Sequence, residues 1–161
     1  MGAWGPGLYS DDVTEDVRGI YVDKLHRGKN GEQASKEMIA EFEWACSDED
    51  DAPVFWFAMA DMQWNYGRLQ EEVKKKALYY LDDMKNLQRW EHENPKMAEK
   101  RKQVLNELRK KLNTLQPSEK KVSQYRLYHC QWKVGDMYAY QLEGEYAKER
   151  GLNGKYLLFY K

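Results

Sequence analysis

The sequence predicts a mainly α-helical protein: a compact multi-helix domain over residues 1–116, then a β hairpin or truncated small β module over 122–161 (α+β). Apolar residues recur at helical spacing through the first part of the chain. Two short stretches near its end are predicted to be strands: residues 136–142, which alternate, and the apolar stretch KYLLFYK at 155–161. The segment PSEKK at 117–121 separates the helical part from the strand part and is predicted to be a linker. The composition, 42% hydrophobic and 33% charged over 161 residues, indicates a folded chain with a substantial core.

The N-terminal part predicts an ordered turn followed by two helices. MGAWGPGLYS combines glycines, a proline and an aromatic residue, which favours a turn with Trp4 packed inward. Ser10 or Asp11 is expected to cap a helix that runs to about Arg27, with acidic residues in its first turns. A second helix is predicted over about 32–46.

The middle of the chain predicts the central helix of the core. Residues 54–66 are apolar nearly all round the helix, which is typical of a helix surrounded by others. A fourth helix is predicted over about 70–83 and a short one over about 86–92, giving five or six helices in all. The absence of a run of about 20 apolar residues argues against a membrane span and a membrane partner.

A long basic helix is predicted over 95–115, beginning at an Asn-Pro pair. Residues 1–93 carry a net charge of −9, whereas residues 94–126 carry +7. A basic helix of this kind can contact phosphates, which makes a nucleic-acid-binding accessory protein one alternative. The other reading is a solvated face that neutralises the acidic half, and a pI near 6.3 favours it. The basic surface comprises Lys100, Lys102, Arg109, Lys110 and Lys111.

Asp61 is the first polar candidate, because it stands inside the apolar run FWFAMADMQW. A carboxylate in such a place must be paired, neutralised or at an opening. One interpretation is a pocket group among Trp56 and Trp64, with Trp4 as a further aromatic candidate. The other is a structural ion pair, for example with Arg18 or Arg68, that holds helices or the N-terminal turn.

A second candidate is a metal-binding helix face. One side of the first helix carries Asp12, Asp16, Asp23 and His26, residue types that ligate Mg²⁺ or Mn²⁺. A metal-dependent hydrolase built on Asp12, Asp16 and Asp61 is therefore a further alternative. The simpler interpretation is a solvated face whose acidic residues complement the helix dipole.

Catalytic signatures are missing from the sequence. It contains no GxSxG, P-loop, GxGxxG or HExxH motif, and its two cysteines, Cys46 and Cys130, form no CxxC pair. We therefore predict no catalytic residues and no cofactor, and an enzyme is not the favoured class. Residues 1–7 have no basic or apolar leader, so a cytoplasmic location is expected.

Four stretches carry a family resemblance: MGAWGPGLYSDDVTEDVRGIY, PVFWFAMADMQWNYGRL, LQRWEHENPK and VGDMYAYQL. The chain resembles a family of bacterial proteins of unknown function that open MGxWGxGxxxDD. The resemblance implies that a set of residues belongs to the family pattern: Trp4, Gly5, Asp11, Asp12, Asp61, Trp64 and Gly67. The tail from Trp132 is similar to the first strands of β modules in immunity-type proteins that neutralise bacterial toxins, where the sequence would continue past Lys161.

Together these observations favour a non-catalytic module that binds another protein. The charge polarity, the aromatic content and the missing catalytic motifs predict an interaction protein. A role in bacterial conflict, as toxin immunity or phage defence, is implied by the resemblance alone. The expected partner is a protein that the sequence does not identify.

Overall fold

The computed structural model describes residues 3–126 and 130–160, and within them it confirms the predicted mainly α fold. These residues form eight helices and one two-stranded antiparallel sheet. The chain divides into two units, Met1–Tyr125 and Arg126–Lys161. Met1 and Gly2 of the opening motif, and Lys161 at the end of the second predicted strand, lie outside the described residues.

Helix α4 is the centre of the first unit. Every residue from Ala52 to Gln63 is buried, as expected for a helix that is apolar all round. Helices α1, α3, α5 and α7 pack against it. The helices of this unit are α1 (Asp12–His26), α2 (Gly31–Glu41), α3 (Glu43–Ser47), α4 (Asp51–Asn65), α5 (Glu71–Asp83), α6 (Lys85–Glu93) and α7 (Pro95–Leu112).

Local sequence explains how the first helices begin. Asp11 caps α1 by accepting a hydrogen bond from the backbone of Val13, and Asn30 and Gln33 form a capping box on α2. The second predicted helix, 32–46, is divided at Phe42, where φ is −103° and ψ is 25°. This bend places the Phe42 ring against Phe55, with 5.5 Å between centroids, so core packing overrides helical continuity.

The basic helix is shorter than the predicted 95–115. It ends at Leu112, and Leu115 is 93% exposed. Beyond it, residues 116–125, which we call the strap, contain neither helix nor strand. The sequence assigned the strap to a linker and to the start of the β module. In the structure the strap belongs to the unit Met1–Tyr125.

The first half of the strap is fixed to the turn that follows α4. The backbone N–H of Lys120 donates to the carbonyl of Tyr66 at 3.0 Å, and Arg68 forms an ion pair with Glu119 at 2.9 Å. Gly67 makes this approach possible. Its φ is +66°, and a Cβ on it would lie 2.5 Å from the carbonyl oxygen of Pro117.

The second half of the strap is fixed to the end of α1. The backbone N–H of Tyr125 donates to the carbonyl of His26 at 2.8 Å, and His26 Nδ1 lies 2.6 Å from the carbonyl oxygen of Ser123. The rings of His26 and Tyr125 stack with 4.9 Å between centroids. Val122 packs on the core between these two attachments.

The second unit is built on a β hairpin. Strands β1 (Met137–Gln141) and β2 (Tyr156–Tyr160) pair antiparallel, with Ala139 opposite Leu158. The short helix α8 (Glu145–Glu149) lies in the connection and buries Ala147. β1 matches the alternating stretch of the sequence, and β2 matches the apolar stretch KYLLFYK.

Candidate interaction surface

The hairpin exposes apolar side chains on both faces. Nine of the ten paired residues are exposed, and the tenth, Tyr138, is partly exposed. Leu158 is 66% exposed on one face, and Leu157 is 48% exposed on the other. We call this set of side chains, together with Trp132, the hairpin surface. Strands that are apolar on both faces are typical of sheets covered on both sides.

One face of the hairpin surface contains an apolar groove of about 510 Å³. Its wall is formed by Trp132, which stacks on Tyr138 with 4.0 Å between ring centroids. Tyr140, Leu157 and Phe159 line the rest of it. A groove of this size accepts one or two apolar side chains of another molecule.

A short polar turn positions the aromatic wall. The hydroxyl of Tyr138 donates to Oδ2 of Asp136 at 2.7 Å, and the backbone N–H of Lys133 donates to the same oxygen at 2.7 Å. These bonds lower the pKa of Asp136, and the bond to Asp136 raises the pKa of Tyr138 to about 12. The hydrogen bond to Asp136 therefore helps to hold the Tyr138 ring against Trp132.

Asp61 lies in a polar cluster that joins three parts of the helical unit. Its carboxylate accepts hydrogen bonds from Lys111 Nζ at 2.6 Å, Tyr9 OH at 2.7 Å and Asn65 Nδ2 at 2.8 Å. The structural interpretation of Asp61 named Arg18 or Arg68 as partner, and that part was wrong. Arg18 lies over the Tyr9 ring, and Arg68 binds Glu119.

The three candidate tryptophans do not share one pocket. Trp64 lies by the Asp61 cluster, with Lys111 Nζ 4.8 Å from its ring centroid. Trp56 lines a different groove with Ile39 and Tyr79. Trp4, expected to pack inward, is 59% exposed. The contacts of Asp61 therefore join α4 to α7 and to the N-terminal segment, and Trp64 lies beside them.

The residues of the proposed metal face have other partners or stand apart. Asp23 accepts a hydrogen bond from Arg27 Nε at 2.6 Å, and His26 is engaged by the strap. Asp12 and Asp16 lie on the same helix, but Asp61 is committed to Lys111. Across residues 3–126 and 130–160, no group of three or more His, Cys, Asp or Glu side chains is placed to hold a metal ion.

The basic surface on α7 is partly neutralised. Arg109 forms an ion pair with Asp82 of α5, and Lys111 is held by Asp61. Lys100, Lys102 and Lys110 are exposed. Exposed Glu99 and Glu107 lie in the same stretch of the helix and offset part of its positive charge.

Sequence reasoning missed two features of this chain. The first is the pairing of Tyr9 and Lys111 with Asp61, for which the sequence carries no local signal. The second is the exposure of β2 on both sides; the uninterrupted apolar run YLLFY was the available signal, because a half-buried strand would alternate.

Comparison with known proteins found no significant match to a family model, a curated protein or a solved structure. None of the helices within the described ranges is long and apolar enough to cross a membrane. Function is therefore inferred from the residues and their geometry.

Proposed function

We propose that this chain is a non-catalytic protein-interaction module and that the hairpin surface is where its partner binds. The observation that carries the proposal is the exposure of apolar side chains on both faces of the hairpin. Contiguous apolar patches of this kind are uncommon on monomeric proteins and mark interaction sites. A two-stranded hairpin is marginally stable in water, so contact with a partner would also stabilise it.

The composition of the surface supports a protein partner. It is rich in tyrosine, with Trp132, Phe159 and Met137 beside leucines, and aromatic residues and methionine are enriched at protein interfaces. Tyrosine supplies a large contact area at low entropic cost because its side chain has few rotatable bonds.

The biological setting that we propose is bacterial conflict in the cytoplasm, with the chain acting as an immunity-type protein. This finer proposal is supported by the resemblance of the tail from Trp132 to the β modules of immunity-type proteins, and the resemblance of the opening MGAWGPG to a family of bacterial proteins supports a bacterial setting. The partner would then be a toxin or another component of the conflict system.

The test is affinity capture from the source cells followed by native mass spectrometry. We expect a stoichiometric protein partner on the unmodified chain. Leu157→Lys with Phe159→Lys alters one hairpin face, and Leu158→Lys with Tyr160→Lys alters the other. Tyr79→Lys is the matched control, because Tyr79 is an exposed aromatic residue of α5.

Loss of the partner from at least one hairpin variant, with retention by the Tyr79→Lys control, is the expected result. Circular dichroism of each variant establishes that the helices are intact. A partner retained by both hairpin variants would overturn the assignment of the surface. Recovery of nucleic acid or metal without a protein would overturn the proposed class.

A further inference from the structure

A polar cleft in the helical unit is separate from the hairpin surface. It has a volume of about 310 Å³ and lies among residues 3–5, the starts of α1 and α4, and helices α6 and α7. We call it the N-terminal cleft. The residues that matter to its chemistry are Trp4, Asp11, Asp51, Trp90 and Arg101.

Arg101 is a buried cation that forms no ion pair with the described residues. The residue is only 3% exposed. Within the described part of the chain it donates only to neutral oxygens, Asn86 Oδ1 at 3.1 Å and the carbonyls of Gly7 at 3.0 Å and Pro6 at 3.5 Å. These bonds use Nε and Nη1, so Nη2 makes no hydrogen bond to the described residues. Burial lowers the pKa of Arg101 to about 10, and the smaller opposing effect of the Asp11 carboxylate does not offset it.

The carboxylates of the same cleft are only partly paired with cations. Arg89 forms ion pairs with Asp50 at 3.1 Å and with Glu93 at 2.9 Å. These two carboxylates therefore already have a cation beside them. Asp51 forms no ion pair among the described residues. Burial, followed by repulsion from Asp48, Asp11 and Asp50, raises its pKa. The cleft therefore holds a buried guanidinium, Arg101, and a partly buried carboxylate, Asp51, neither of which forms an ion pair with the described residues.

The remaining wall of the cleft is aromatic. Trp4 is 59% exposed, and Trp90 lies beside Arg101, whose Cζ is 5.9 Å from the ring centroid. The bonds from Arg101 to the carbonyls of Pro6 and Gly7 hold the N-terminal turn, and the N–H of Trp4 donates to the carbonyl of Ser10 at 3.0 Å. The backbone of the N-terminal turn is thus held without a ligand.

We propose that the N-terminal cleft binds a free α-amino acid with an aromatic side chain. Its carboxylate would pair with Arg101, its ammonium group with Asp51 and Asp11, and its ring would stack on Trp4. A single zwitterion supplies a carboxylate for Arg101 and an ammonium group for Asp51, and it adds no net charge. The volume suits one molecule of this size. The proposal is independent of the hairpin surface, which lies in the other unit.

The test is isothermal titration calorimetry of the full chain with L-phenylalanine and two matched fragments. The fragment 2-phenylethylamine keeps the ring and the ammonium group, and 3-phenylpropionate keeps the ring and the carboxylate. We expect each fragment to bind at least about ten-fold more weakly than L-phenylalanine, because each lacks the group that would pair with Asp51 or with Arg101. A fragment that binds as tightly as the amino acid would overturn the proposal.

Variants locate the binding site. Asp51→Asn is expected to weaken L-phenylalanine binding about ten-fold, whereas Glu49→Gln, an exposed neighbour outside the cleft, leaves it unchanged. Trp4→Ala changes an exposed residue and is expected to weaken binding without unfolding the chain. Arg101→Met serves as the stricter test where circular dichroism shows an intact fold. Unchanged affinity in Asp51→Asn and Trp4→Ala, or no binding at millimolar amino acid, would overturn the proposal.

Discussion

Lys111 Nζ lies 2.6 Å from Oδ1 of Asp61 and 2.8 Å from Oδ1 of Asn65, and these bonds join α7 to the end of α4. Tyr9 brings the N-terminal segment to the same carboxylate. One buried charge therefore connects three segments that are distant in sequence. This cluster explains how a carboxylate is accommodated in the most apolar helix of the chain.

Removing the cation from this cluster should be strongly destabilising. We expect Lys111→Met to lower the free energy of unfolding by about 3 kcal/mol, because Asp61 would remain buried without its ion partner. The double variant Asp61→Asn with Lys111→Met should recover part of that loss. Lys110→Met, at the exposed neighbouring position, is the control and should change stability by less than about 0.5 kcal/mol. Urea unfolding measures all three, and equal losses in Lys110→Met and Lys111→Met would contradict the role of the pair.

Two glycines should respond in opposite directions to alanine. Gly67→Ala places a Cβ against the Pro117 carbonyl at a positive φ, so we expect a loss of more than about 1 kcal/mol. Gly19 lies in the middle of α1 with nothing within 4 Å of the added atom. Gly19→Ala should therefore stabilise by about 0.5–1 kcal/mol. Thermal unfolding of both variants checks the signs, and tolerance of Gly67→Ala would show that the strap does not need this close approach.

Acid should weaken the contact between α1 and α2. Glu37 binds Lys29 at 2.6 Å and Lys24 at 3.2 Å, and these bonds lower the pKa of Glu37 from its ordinary value of 4.5. A lowered folded-state pKa contributes stability that is complete above about 4.5 and is lost as pH falls through the folded value. We expect unfolding midpoints to fall over that interval, and by less in Glu37→Gln. An identical acid profile for the two proteins would contradict this.

The same contact has a limit at high pH. Burial opposes the charge of Lys24, but its bonds to Glu41 and Glu37 outweigh this effect and raise its pKa above 10.5. The corresponding stability is present below 10.5 and is lost as pH rises through the folded value. Lys24→Met should show a smaller loss over this alkaline interval, measured by urea midpoints from pH 9 upward, than the unmodified chain.

Nucleic acid should bind this chain only weakly. Arg109 and Lys111 are paired, and Glu99 and Glu107 offset part of the charge of the exposed lysines. We expect random-sequence DNA and RNA to bind with a Kd above about 10 µM at physiological salt, by fluorescence anisotropy. Tighter, salt-sensitive binding that Lys100→Glu with Lys110→Glu abolishes would establish the basic surface as a nucleic-acid site. Lys111 is left unchanged in this test because it also stabilises the fold.

Local pattern was sufficient for most of the helices and both strands, since each is specified by its own spacing of apolar residues. The partner of Asp61 was not predictable in this way. Arg18, Arg68 and Lys111 carry the same charge, and only the packing of α7 on α4 selects Lys111. Likewise, the bend at Phe42 depends on a ring from another helix, and alternation along β1 cannot reveal that both faces of the hairpin are exposed.

The strap also sets the order in which the helical unit can be completed during synthesis. Its attachments join His26 to Ser123 and Tyr66 to Lys120. The last contacts of the end of α1 can therefore form only after nearly a hundred later residues have been synthesised. Long-range closures of this kind slow folding, because chain entropy is lost before the contacts compensate it. A ribosome-bound intermediate synthesised only as far as α7 would lack the strap. The part of the core that Val122 covers, and the carbonyl of Tyr66, would then be exposed to chaperones and proteases.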